Sequence, residues 1–104
     1  MTMGEHSRCS AEALKLVADY WVLRIVEELS LAGGAVRFSE LQRLLGGASP
    51  ATLSNRLRRL EEQHLVERSG CPGRLSVSYT LGERGRRILP VISAIDEFAA
   101  PPVS

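Results

Sequence analysis

The side chains best suited to chemistry are concentrated in one stretch, Ser49-Pro50-Ala51-Thr52-Leu53-Ser54-Asn55-Arg56-Leu57-Arg58-Arg59. An asparagine amide sets a donor beside an acceptor and pairs bidentately with adenine, while a guanidinium forks onto guanine or onto phosphate. The hydroxyls of Ser49, Thr52 and Ser54 can bond phosphate oxygens, and the small bodies of Pro50 and Ala51 let a backbone approach base edges. These residue types recognise nucleic acid; they do not make or break bonds.

Catalysis would need a convergent set of nucleophile, base or metal ligands. His6 and His64 have no carboxylate at a useful spacing, so no enzyme is expected and no motif points to a cofactor. Cys9 and Cys71 lie far apart, without a CxxC spacing or paired histidines, which argues against a zinc site or a disulfide framework.

The formal net charge of +1 would not by itself suggest a polyanionic partner, but its distribution does. Between Arg37 and Arg87 ten arginines face five acids, while the segments on either side are mildly acidic. A cationic middle suits phosphates, and acidic ends suit some other task. No apolar run reaches the roughly 18 residues of a membrane span. Met1 to Arg8 contain no apolar leader stretch, so a cytoplasmic protein with no membrane partner is expected.

The elements that must position these groups follow from periodicity and caps. Leu14, Val17 and Ala18 mark a helix over residues 10–18, and Trp21 continues their stripe. Trp21, Val22, Ile25, Val26 and Leu29 give a second helix an apolar face, which Gly33-Gly34 terminates. Val36 to Phe38 fit a very short strand. Ser39 opens a short helix with Leu41, Leu44 and Leu45 inward, and Ser39 with Gln42 has capping-box spacing. After the turn Gly46-Gly47-Ala48, Ser49 as N-cap and Pro50 at the first helical position start a helix running to about Gln63.

With Leu53, Leu57 and Leu60 inward, a helical wheel puts Ala51, Asn55, Arg58 and Glu62 opposite the core. Thr52 and Arg59 fall on one flank and Ser54 on the other. Leu65 to Ser69 and the alternating residues 75–81 form a hairpin around Cys71-Pro72-Gly73-Arg74. A last helix from about Glu83 to Phe98 carries Ile88, Val91, Ile92, Ile95 and Phe98, with Pro90 bending it or marking its first turns.

The pattern predicts one domain over residues 1–104, mainly α with a small β-hairpin wing (α+β), in the winged helix-turn-helix arrangement. The helix-turn-helix occupies about 39–63 and the wing about 65–81. The apolar faces of the helices at about 10–18 and 83–98 exceed what one small domain needs, which suits a homodimer. Double-stranded DNA is the expected partner, with Pro50, Ala51, Thr52 and Asn55 at the bases, followed by Arg56 and Arg58. Ser49, Ser54 and Arg59 stand beside them. Ser39 is either a phosphate ligand or a cap alone, and Arg74 either reaches a minor groove or backbone or is merely solvated. The competing reading is a winged-helix module that binds another protein without specific DNA binding; it calls for a more apolar recognition face than this one.

Several segments in order resemble the HxlR-type regulators, bacterial winged-helix proteins related to MarR. They are Arg37-Phe38-Ser39-Glu40-Leu41, the Ser49…Leu53-Ser54…Arg56-Leu57…Leu60-Glu61 helix, and Leu65-Val66…Arg68. Cys9, Trp21, Ile25 and Leu29 extend the match upstream, and Tyr79-Thr80-Leu81…Gly85…Leu89-Pro90 downstream. The resemblance implies a homodimer built through its terminal helices on a pseudo-palindromic operator. It also implies a response to an oxidant or electrophile, with Cys9 as candidate redox sensor, or to another small-molecule effector. Helix N-terminal amides and Arg8 would favour the Cys9 thiolate; an unreactive thiol at the dimer interface is the alternative. Four departures stand out: Asp19-Tyr20 replaces Gly-Lys, His64 falls where a glycine is usual, Gly82 replaces a threonine cap, and the wing lacks Pro-Arg-Val.

Overall fold

The computed structural model describes residues 10–70 and 77–102. Among the described residues the elements in order are α1 (Ala11–Val17), α2 (Tyr20–Ala32), β1 (Val36–Arg37), α3 (Phe38–Leu45), α4 (Pro50–Glu62), β2 (Val66–Ser69), β3 (Ser78–Leu81), α5 (Glu83–Arg86) and α6 (Leu89–Ala99). Helices dominate, and the strands form a small antiparallel sheet in the order β1-β3-β2.

α2 is the centre of the molecule. Val22, Ile25, Val26 and Leu29 recur at helical spacing and are buried, and the helix packs against the five other described helices and against β3. Asp19 starts it: one carboxylate oxygen accepts from the amides of Trp21 (2.9 Å) and Val22 (3.1 Å). Gly33, at φ 69°, ends it in the left-handed conformation that glycine adopts without cost.

The α1 stripe differs from the expected one. Leu16 is the buried residue of α1, whereas Leu14 is exposed and Val17 half-buried. The chain breaks after Val17, so Trp21 belongs to a new helix with its own phase, and a stripe drawn through both cannot hold. Ser10 caps α1 by accepting from the Ala13 amide (3.2 Å).

β1 does more than precede a helix. Val36 pairs with Tyr79 and Arg37 with Ser78, making β3 the central strand. Phe38 still donates to the Val77 carbonyl (3.3 Å), so the chain is extended up to the residue where α3 begins. That geometry makes Arg37 the N-cap, with no side-chain cap bond, and leaves Ser39 second in the helix. The expected capping box at Ser39 and Gln42 is therefore absent, because sheet pairing sets the cap two residues earlier, at Arg37.

The last helix is two. α5 ends at Arg86, the chain turns through Arg87 and Ile88, and α6 begins at Leu89 with Pro90 in its first turn. A proline ring collides with the carbonyl four residues back, here that of Arg86, so one helix cannot run through both. α6 buries none of its side chains, and Val91, Ile95 and Phe98 are exposed along one face.

α5 sits tightly on the chain leaving α4. A Cβ built on Gly85 would lie 2.2 Å from the Leu65 carbonyl oxygen and 2.6 Å from Leu81 Cδ1. Any side chain there must push backbone aside. Gly85→Ala is expected to lower unfolding free energy by about 1–3 kcal/mol, as overpacked sites do, measured by urea denaturation. An unchanged midpoint would mean that the contact yields freely.

Candidate nucleic-acid interface

The local sequence dictates a helix, a tight turn and a second helix. α3 buries Leu41 and Leu45, Gly46 leaves it at φ 67°, and buried Ala48 plugs the turn. Ser49 Oγ then accepts from the Thr52 amide (3.1 Å) and donates to Thr52 Oγ1 (3.0 Å), with Pro50 inside the first turn. Leu53, Leu57 and Leu60 close the inner face of α4 at 0–1% exposure.

The other end of α4 is equally determined. The Leu65 amide donates to the Leu60 carbonyl (2.8 Å) and the His64 amide to that of Glu61 (3.0 Å), which is a Schellman closure. His64 takes the left-handed position at φ 62°, the place where the resemblance led us to expect a glycine. Leu60 and Leu65 are both buried beneath it. Arg84 donates to the Gln63 carbonyl, a tie between α5 and the end of α4 that sequence reasoning missed.

On the outer face the wheel holds. Ala51, Ser54, Asn55, Arg58 and Glu62 are exposed, as is Pro50, while Thr52, Arg56 and Arg59 are half-buried on the flank. Ser49 is exposed at the helix start, and Ser39 is exposed in the first turn of α3. Arg74, Cys9 and Cys71 lie outside the described residues. The Arg37 backbone caps α3 and pairs in β1, while its side chain is exposed and makes no cap bond.

Asp19 was missed as part of this surface. Its second carboxylate oxygen accepts from Arg56 Nε (2.9 Å) and lies 3.6 Å from Arg59 Nη1, while Arg56 Nη1 donates to Asn55 Oδ1 (3.2 Å). Two of the three arginines on α4 thus share one internal carboxylate, and Arg58 has no ion-pair partner among the described residues. An aspartate before an apolar helix is a legible cap signal; its second role spans 37 positions of sequence and carries no local mark. Nearby, Arg68 pairs with Glu61 (3.4 Å) and ties β2 to α4. Burial pushes the Tyr79 phenol above its usual range; Arg68 opposes that shift and Glu61 adds to it.

Among the described residues no group of three or more His, Cys, Asp or Glu side chains could hold a metal ion. No described helix is long and apolar enough to cross a membrane.

A capped, arginine-bearing helix, set across a tight turn from a shorter one and followed by an antiparallel strand pair, makes this a winged helix-turn-helix protein. The family model described as HxlR-like helix-turn-helix matches residues 16–102, and the chain belongs to that family. It is similar to the HTH-type transcriptional regulator YvaP of Bacillus subtilis, at 32% identity over 89 residues, 85% of this chain and 81% of that protein. Among solved structures it resembles the reduced form of the transcriptional regulator YodB from B. subtilis. The TM-score is 0.75 and the identity 29%, over 88% of this chain and 91% of that one. The redox regulator HypR in its oxidized form superposes with a TM-score of 0.72 at 25% identity, over 91% of this chain and 100% of that one.

The Ser49 cap sets where α4 begins. Ser49→Ala is expected to cost about 0.5–2 kcal/mol of stability, read as a lower urea midpoint at unchanged slope. A midpoint equal to wild type would show that the proline and the turn alone fix the start.

Proposed function

We propose that this member of a transcriptional-regulator family binds double-stranded DNA sequence-specifically as a homodimer, with α4 in the major groove. The observation that carries the reading is the outer face of α4. Ala51, Ser54, Asn55 and Arg58 stand exposed over a closed leucine seam, with no large apolar residue among them. Pro50, Ala51 and Thr52 allow close approach, Asn55 and Arg58 read base edges, and Ser49 and Ser54 contact the backbone. Arg56 and Arg59 flank this face. The exposed Ser39, in the first turn of α3, offers hydroxyl and amide to a phosphate, and Arg74 on the wing segment reaches the adjacent groove or backbone.

The apolar stripe Val91, Ile95 and Phe98 on α6, together with Leu14 on α1, supports dimerisation through the terminal helices. Phe98 is 90% exposed, a cost that a second copy removes. A two-fold dimer presents two α4 helices to successive major grooves of a pseudo-palindromic operator.

Binding should be followed by fluorescence anisotropy across a salt series, on operator fragments selected from random sequence. Wild type is expected to show a selected consensus and a log–log salt slope equivalent to several phosphates. Arg58→Ala should weaken binding and relax one position of that consensus by about 1–3 kcal/mol. No salt-dependent binding to any duplex would transfer the reading to a protein-binding winged-helix module.

Regulation by an oxidant or other small-molecule effector through Cys9 is the second part of the proposal. It is supported by the likeness to YodB, solved in reduced and quinone-bound forms, and to HypR. Operator binding is expected to change on mild oxidation, to recover with a thiol reductant, and to become insensitive in Cys9→Ala. A response that survives in Cys9→Ala and disappears in Cys71→Ala would assign the sensor to Cys71.

A further inference from the structure

We propose that Asp19 is a specificity-determining residue that withholds Arg56 and Arg59 from the DNA backbone; the proposal rests on the DNA-binding reading above. The carboxylate cannot swing away with the arginines, because its other oxygen is committed to the amides of Trp21 and Val22 at 2.9 and 3.1 Å. Those amides begin the most deeply packed helix of the fold. The Asp19 side chain is 15% exposed against 30% for Arg56 and 36% for Arg59, so the acid is the fixed partner and the guanidiniums come to it.

Arg56 is held at a second point by Asn55 Oδ1 (3.2 Å). A more exposed pair such as Arg43–Glu40 exchanges its carboxylate for a phosphate at little cost. The Asp19 pair is partly desolvated, and one carboxylate answers both guanidiniums as well as the positive end of α2.

The consequence follows from how proteins hold non-specific DNA. Sequence-independent affinity comes almost entirely from cations that displace counterions, each adding about 0.9 to the salt slope. Two arginines committed to an internal carboxylate are removed from that term. The base-facing Asn55 and Arg58 are left in place, so the ratio of operator to random-sequence affinity rises.

The test is Asp19→Asn in the full chain, titrated with random-sequence duplex over a salt series. Asparagine keeps an oxygen for the Trp21 and Val22 amides and caps as well as aspartate, while the charge is gone. The slope is expected to steepen by about one to two units, with random DNA bound about tenfold more tightly at the low-salt end. Asp19→Ser, a second uncharged cap, should do the same. A loss of folded protein can only weaken apparent binding, so instability cannot imitate tighter binding of random DNA at low salt.

Glu62→Gln, on α4 with Arg56 and Arg59, removes an exposed acid that has no arginine partner among the described residues, and it should change the slope by well under one unit. A slope in Asp19→Asn equal to wild type, or an equal steepening in Glu62→Gln, overturns the proposal while the DNA-binding reading stands. Absence of salt-dependent binding by the wild type overturns both.

Discussion

Everything in this fold is placed by the burial of one face of one helix. Val22, Ile25, Val26 and Leu29 of α2 are at most 2% exposed, and the other described helices and the central strand pack against α2. Burying such side chains contributes about 1.5–3 kcal/mol each, and net stabilities are only about 5–15 kcal/mol, so no other element is as costly to disturb. The caps at Asp19 and Gly33 fix where this helix starts and stops, and hence where its seam points. The leucines of α4 dock against that seam, which turns Asn55 and Arg58 outward.

What the sequence made legible was whatever depended on neighbours within a few residues. α2 and α4 could be read because each has an apolar stripe about two turns long and a terminator of its own chemistry. The outward set on α4 followed from the wheel once Leu53, Leu57 and Leu60 were placed inside. β3 was visible for the same reason, since Val77, Tyr79 and Leu81 alternate with polar residues. The wing tip and the candidate sensor, with Arg74 and Cys9, lie outside the described residues.

The features that escaped local reasoning depend on distant partners. Ser39 has the right type and spacing for a cap, but pairing of Arg37 with the distant Ser78 decides where α3 starts. The α1 stripe failed because periodicity was carried across a break between two helices. Arg56 and Arg59 looked like free cations in a basic run, and only the folded chain brings Asp19 to them. A tally of arginines therefore overstates what this surface offers to a polyanion: Arg24, Arg43, Arg56, Arg59 and Arg68 each already have a carboxylate within ion-pair distance.

The close approach of Gly85 to Leu65 has a mechanical meaning. Within a few residues the Gly82 amide bonds the Leu65 carbonyl, Arg84 bonds the Gln63 carbonyl, and Gly85 leaves no gap for either to slide. The end of α4 and the start of the segment leading to α6 are welded into one stiff elbow. In a dimer joined through α6, the two reading heads would be separated by rigid struts and not by tethers. Such a molecule would act as a caliper, tolerating little variation in the distance between half-sites, and a small rotation at the joint would be delivered undamped to both ends of the jaw.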